Sequence, residues 1–347
     1  MLRLTAQPID LQLTTPFRIS RGVQQTASNV LVDIPYQDQV GYGEAAPNRY
    51  YGETRETVLA CLASFGDSLG DDPFLIDEIT RRLDQRVRLN PAAKAAVDMA
   101  LYDLVGKTLG VPLYKLLGLN PAQAAQTSFT IGIDTPETMA QKAQQARDYP
   151  ILKIKVGTPR DLDNLKAIRD VSSAIIRVDA NTAWTPKEAI KMIGAMEPYN
   201  IEFVEQPTAP RDLDGLRLIR ENSPVPIIAD ESCVAIEDIS RLAGCVDGVN
   251  FKLMKSGGLT NVLKMIHVAR AHNLRVMIGC MIESALAITA AAHLTPLVDY
   301  ADLDGHLLIN HDPFEGVKVE HGKLILPDAP GLGVRQRQSE RGALPIS

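Results

Sequence analysis

Beyond residue 120 the chain alternates between two textures. Short β-branched and apolar runs, most of them ending at or just before a polar or charged side chain, are followed by stretches with an apolar residue every three or four positions, which is the pattern of βα repetition. The runs are Thr127–Ile133, Ile151–Val156, Ala174–Asp179, Ile201–Glu205, Ile227–Ala229, Val246–Phe251, Arg275–Ile278 and Tyr300–Leu303. They predict eight parallel strands. Upstream the order changes: strand-like alternation over Leu2–Leu13, Asn29–Pro35 and Val40–Glu44, with a bend at Gly41–Gly43, precedes helical periodicity over Thr54–Phe65, Phe74–Arg88 and Pro91–Gly106. Asn90-Pro91 reads as the cap and first turn of the last of these helices. We therefore expect an α+β unit over residues 1–119 and a (β/α) barrel over 120–316. Residues 317–347 should form a hairpin turning at His321-Gly322, then a Gly/Pro segment that packs back on the first unit.

Polar residues at the strand ends are evenly spaced. Lys153 to Asp179 is 26 positions, Asp179 to Glu205 is 26, Glu205 to Asp230 is 25 and Asp230 to Lys252 is 22, so one βα unit separates each pair. In a (β/α) barrel such residues meet at one face, the C-terminal ends of the strands. A doubly wound open sheet is the rival, but no G-x-G-x-x-G follows the first strand and no P-loop is present. The barrel is favoured. A second unit over its mouth would supply enclosing loops, Phe17–Thr26 and Asn48–Glu53.

Composition narrows the partners. The 347 residues carry 36 Lys and Arg against 42 Asp and Glu, a net charge of −6, and lack a basic run. Neither a nucleic acid nor an anionic membrane surface suits that balance, so a small-molecule substrate is expected. Four cysteines without metal-ligand spacing fit a reducing compartment, and the N-terminal segment lacks the features of an export signal, so a cytoplasmic location is expected. The most apolar stretch, Val276–Val298, is interrupted by Glu283 and His293 and makes a poor membrane span.

Asp179, Glu205 and Asp230 end three successive strands. Three carboxylates with no His or Cys beside them match octahedral Mg²⁺ rather than zinc, and without a cation they would repel one another. Any one alone could simply cap the next helix. Lys153 and Lys155 alternate onto one face of their strand and point into the mouth, with Lys252 opposite. Beside a dication such lysines lose proton affinity and can serve as general bases. A Schiff-base aldolase would also use a barrel lysine, but it leaves the three acids unexplained. Lys255, after its strand, reads as a loop or surface cation.

Taken together, the K-x-K pair, the D/E/D ladder and the sixth-strand lysine resemble the enolase superfamily, in its muconate-lactonizing subgroup. Ala95–Gly118 is similar to the helix that joins the family's capping domain to its barrel, and Asp179–Trp184 to its first metal-ligand segment. The resemblance implies a modified (β/α)8 barrel of (β/α)7β form, class α/β, under an α+β N-terminal capping domain. It implies one Mg²⁺ per site on Asp179, Glu205 and Asp230, which stabilises an enediolate. It also implies Lys155 and Lys252 as the acid/base pair, Lys153 as a partner for the carboxylate and for Lys155, and Asn181 and Glu231 as supporting residues.

Within that subgroup, Gly279–Ser284 and the Asp302-Leu303-Asp304 triplet resemble the dipeptide epimerases, where the two aspartates bind a free ammonium group. The resemblance thus implies inversion of the α-carbon of the C-terminal residue of an L,L-dipeptide by two-base proton transfer, in a homo-oligomer. The alternatives are an o-succinylbenzoate synthase or a cycloisomerase, and a non-catalytic metal-binding barrel. Substrate contacts are expected from Cys280, Met281, Ile282, Arg21, Phe17 and Tyr50. Arg18, Arg21 and Arg49 would suit an acidic second residue, Glu53 a cationic one, and Phe17, Ile19 and Tyr50 an apolar one.

Overall fold

The computed structural model describes residues 1–337. The expected tail beyond residue 337 lies outside them. Near the N-terminus β1 (Thr5–Ile19), β2 (Gly22–Tyr36) and β3 (Gln39–Ala45) form an antiparallel sheet in that order. Three helices follow, α1 (Arg55–Phe65), α2 (Ile76–Arg86) and α3 (Pro91–Leu109). Thr54 caps α1 through its side chain and a reciprocal bond from Thr57. Helix α3 is buried over most of its length because the sheet covers one side and barrel elements another, which is why its sequence is rich in alanine rather than amphipathic.

Three local expectations change. Gly41 and Gly43 make no bend: β3 runs straight through them, and a Cβ there would stand 2.1 Å from the Ala100 carbonyl oxygen and 1.9 Å from that of Ala96. They let α3 lie close on the sheet. Asn90 is left-handed and its side chain caps nothing; the first turn of α3 is served by Glu53, whose carboxylate accepts from the Ala92 N–H at 3.1 Å. Burial pushes that carboxyl up to about 7. Glu53 is thus spent on the helix terminus, a poor partner for a cationic substrate. Finally, Phe17–Thr26 is no loop but the tip of the long β1–β2 hairpin, with Phe17 opposite Gln24 and Ile19 opposite Gly22.

The barrel strands are β4 (Phe129–Ile131), β5 (Ile151–Lys155), β6 (Ile175–Asp179), β7 (Ile201–Glu205), β8 (Ile227–Ala229), β9 (Gly248–Lys252), β10 (Arg275–Gly279) and β11 (Tyr300–Asp302). They pair in sequence order and in parallel. The ring closes where Thr127 bridges Ala301 and the Ser128 N–H donates to the Ala301 carbonyl at 3.2 Å. After β11 comes one short 3-10 turn, Gly305–Leu307, and the chain returns to the hairpin, where Asn310 N–H donates to the Gln12 carbonyl. This is the (β/α)7β pattern. The tail turns at His321-Gly322 and lies on α3, where buried Asp103 accepts from the Leu332 and Tyr42 N–H groups and from Lys107. Among the described residues no helix is long and apolar enough to cross a membrane.

Candidate active site

Strand alternation decides what faces the barrel mouth. On β5 the buried Leu152 and Ile154 pack outward, so Lys153 and Lys155 point inward. Strands β5 and β9 are the second and sixth of eight, hence opposite each other, and Lys155 and Lys252 reach the mouth from opposite walls. Each meets an acid: Lys155 Nζ donates to Asp179 Oδ2 at 2.6 Å and Lys252 Nζ to Asp230 Oδ2 at 2.7 Å. Lys153, 1% exposed, lies between Asp302 (2.7 Å), Glu205 (2.7 Å) and Asp179 (3.1 Å).

The electrostatics follow from this crowding. Burial opposes the charge on Asp179 and Asp230, but Lys155 and Lys153 beside the first and Lys252 and Lys255 beside the second outweigh it and hold both carboxyls below the ordinary range. Glu205 goes the other way, pushed up to about 7 by burial and by Asp179. Burial also disfavours charge on Lys252, yet Asp230 and Glu205 more than compensate and raise it. The lowered proton affinity expected of a base beside a dication is therefore not a property of Lys252 among carboxylates alone; it requires those acids to be neutralised.

The donor set fits a hard divalent cation. It is all oxygen, from adjacent strand ends, and Glu205 Oε2, though 2.7 Å from Lys153 Nζ, is fully buried without an aligned hydrogen bond. As the side chains stand, lysines hold the acids, and no three carboxyl, imidazole or thiol groups among the described residues are drawn together at metal-ligand spacing. Around the acids, Asn181 N–H donates to Asp179 Oδ1 at 2.9 Å, and Asn181 Nδ2 to Glu231 Oε1 at 3.3 Å. Asn181 and Thr182 have φ of 44° and 71°, a left-handed turn that asparagine tolerates. The segment after β6 then runs beside the end of the next strand, where the Thr182 N–H donates to the Gln206 carbonyl at 2.9 Å.

A cavity of about 800 Å³ opens above these groups, lined by Lys155, Lys252, Asp302 and Asp304 below and the hairpin and Cys280–Ile282 above. Asp302 accepts from Lys153 through Oδ2 and from Ser128 through Oδ1 at 2.7 Å. Asp304 accepts from the Thr130 N–H at 2.6 Å, and burial together with Asp302 pushes it up to about 7. Arg21, Phe17 and Tyr50 all reach this cavity. Arg21 Nη1 donates to Glu231 Oε1 at 2.6 Å and to the Asn181 carbonyl at 3.0 Å, with its guanidinium 4.2 Å above the Tyr50 ring.

Comparison with known proteins agrees with this geometry. Residues 3–118 match the model of the mandelate racemase / muconate lactonizing enzyme N-terminal domain, and residues 137–340 match that of the enolase C-terminal domain-like family. The chain belongs to the mandelate racemase and muconate lactonizing enzyme family of the enolase superfamily. It is 42% identical to an L-Ala-D/L-Glu epimerase of Bacteroides thetaiotaomicron, covering 96% of this chain and 88% of that one. It is 41% identical to a hydrophobic dipeptide epimerase of Enterococcus faecalis, covering 93% and 96%. Among solved structures, a dipeptide epimerase of Cytophaga hutchinsonii complexed with Mg and D-Ala-L-Val superposes with a TM-score of 0.93 at 33% identity, covering 97% and 96%.

Two features of this family member escape the sequence reading. Lys255 is not a surface cation: it is 1% exposed and its Nζ lies 2.5 Å from Asp230 Oδ1. The one helical turn Leu253–Ser256 tucks it behind the strand, and the K-x-x-K spacing was the available signal. Glu44, on β3, is buried and accepts from Asn29 Nδ2 at 2.8 Å and from the Ser284 N–H at 3.1 Å, while Asn29 also donates to the Ile282 carbonyl at 3.0 Å. No motif marks it.

Proposed function

We propose that this chain is a Mg²⁺-dependent dipeptide epimerase that inverts the α-carbon of the C-terminal residue of an L,L-dipeptide to give the L,D isomer. The observation that carries the reading is a pair of lysines on opposite barrel walls, each 2.6–2.7 Å from a carboxylate of one acid cluster and both lining one cavity. A carbon held between them exposes one face to each amine. One lysine takes the α-proton and the other returns a proton from the opposite side, which inverts the centre. Asp179, Glu205 and Asp230 would hold Mg²⁺, which supplies positive charge beside the substrate carboxylate and so eases removal of the neighbouring proton. Neutralising Asp230 and Glu205 also withdraws the support that keeps Lys252 charged, the change a general base needs. Lys153 keeps Asp302 and Glu205 in place, and the hairpin excludes water from above.

Asp304 supports the dipeptide assignment. Of the two acids at the end of β11 it is the freer, and it faces the cavity, suited to a ligand ammonium. With its carboxyl at about 7, it gains charge as pH rises, so ammonium binding should strengthen from about pH 5.5 to about 7, below the range near 8 in which the substrate's own amino group loses its proton. We expect the dipeptide KM to fall severalfold over that interval in the wild type and to stay flat in Asp304→Asn; a wild-type KM that rises or stays level would remove Asp304 from ammonium binding.

The upper wall favours an uncharged second residue. Phe17, Ile19 and Gln24 share the inner face of the hairpin opposite Met281, Ile282 and Leu308. Arg21 is engaged by Glu231 and Tyr50, Arg55 by the Ile9 carbonyl and Asp10, and Arg49, the remaining arginine of the lining, is solvent-exposed. A mixed L,L-dipeptide library incubated in D₂O with Mg²⁺ should gain mass at the C-terminal residue, with apolar second residues exceeding Glu by about tenfold, the worth of ~1.4 kcal/mol. No uptake in the whole library overturns the epimerase; uptake confined to acidic residues overturns the selectivity.

A further inference from the structure

Lys255 is a buried cation that the proposed chemistry does not use. Its Nζ makes three hydrogen bonds: to Asp230 Oδ1 at 2.5 Å, to the Asp230 carbonyl at 2.6 Å and to the Asn250 carbonyl at 2.8 Å. All three ammonium protons are thereby spent. Lys252 approaches the same carboxylate through its other oxygen, Oδ2. The two lysines therefore grip both oxygens of the Asp230 carboxylate, and of the two it is Lys252 that lines the cavity. Gly257 and Gly258, with φ of 84° and 108°, turn the chain directly after Lys255, and a Cβ at Gly258 would stand 2.5 Å from Asp98 Oδ2. The helical turn that carries Lys255 thus has a defined exit against α3.

We infer that Lys255 is a positioning residue that fixes the Asp230 carboxylate, turning Oδ1 away from the cavity and presenting Oδ2 to the cation. The point occupied by Nζ is bordered by three oxygens, one carboxylate and two carbonyls, all electron-rich. Without the Lys255 ammonium, Asp230 keeps only the Lys252 bond at Oδ2, so the carboxylate is free to rotate about that single anchor. Rotation misdirects the oxygen offered to the cavity. The charge of Lys255 itself opposes a nearby dication, so the two effects have opposite signs. Orientation decides the balance: a carboxylate anchored at one oxygen no longer meets the cation in a fixed position, and loss of Lys255 weakens metal binding. Partners that orient a metal ligand are typically worth about 10–100-fold in affinity or activity.

This inference rests on the magnesium reading above, and its test separates the two. Wild-type protein, Lys255→Met and Lys255→Gln are titrated with Mg²⁺ by calorimetry in the absence of dipeptide. Both variants are expected to bind about 10–100-fold more weakly, with kcat at saturating Mg²⁺ reduced and the dipeptide KM nearly unchanged. A wild type that binds no Mg²⁺ overturns the magnesium reading itself. A wild type that binds while the variants match it, or bind more tightly, overturns the role of Lys255 alone. Should neither variant fold, the ammonium nitrogen resonances of the wild type decide: a Lys255 signal protected from water exchange at neutral pH is expected, and one that exchanges like an exposed lysine overturns the inference.

Discussion

Replacing Lys155 or Lys252 by methionine should lower epimerisation by at least about 10²–10⁴-fold, the usual contribution of a positioned acid or base. The more telling result is the half-reaction left behind. With one lysine on each wall of the cavity, each variant retains the amine that serves one face of the α-carbon. In D₂O, each variant is therefore expected to wash deuterium into only one of the two epimers, the L,L form for one variant and the L,D form for the other. Mass spectrometry of each pure epimer with each variant reads this directly. If both variants exchange both epimers, the two amines do not act from opposite faces and the two-base scheme fails.

Removal of Mg²⁺ should have an effect of similar size. Chelation is expected to abolish turnover, a loss of about 10³-fold or more because the principal charge opposite the developing carbanion is gone. Added Mg²⁺ should restore it. The protein should nonetheless remain folded, since Lys153, Lys155, Lys252 and Lys255 already pair with the acid cluster. Circular dichroism before and after chelation separates the two effects, and full activity in excess chelator would sink the metal's role.

The barrel and the acid cluster are legible in the sequence for one shared reason: ionisable groups ending buried apolar runs are costly unless they act together. Asp179, Glu205 and Asp230 recur at intervals of one βα unit, and Lys153 and Lys155 alternate against Leu152 and Ile154. What stays hidden depends on contacts between distant segments. Gly41 and Gly43 look like a bend because glycine commonly makes one, whereas the cause is the approach of α3, more than fifty residues later. The hairpin tip looks like a loop because Arg21-Gly22 breaks the alternation, yet strand pairing, interrupted between Gln12 and Phe17, resumes from Phe17 to that turn. Lys255 looks exposed since a lysine after a strand usually is, and only the turn Leu253–Ser256 folds it inward. Arg21 is placed at the cavity as expected, but its partner Glu231 lies 210 positions away, beyond any local pattern.

The bonds around Glu44 bear on how this molecule could be divided. Ile282, which lines one side of the cavity, and Ser284 just after it hang from Asn29 and Glu44 of the N-terminal sheet. Expressing the barrel alone would thus remove more than a cover: the segment after β10 would lose its anchors, leaving intact lysines and acids beside an unshaped wall.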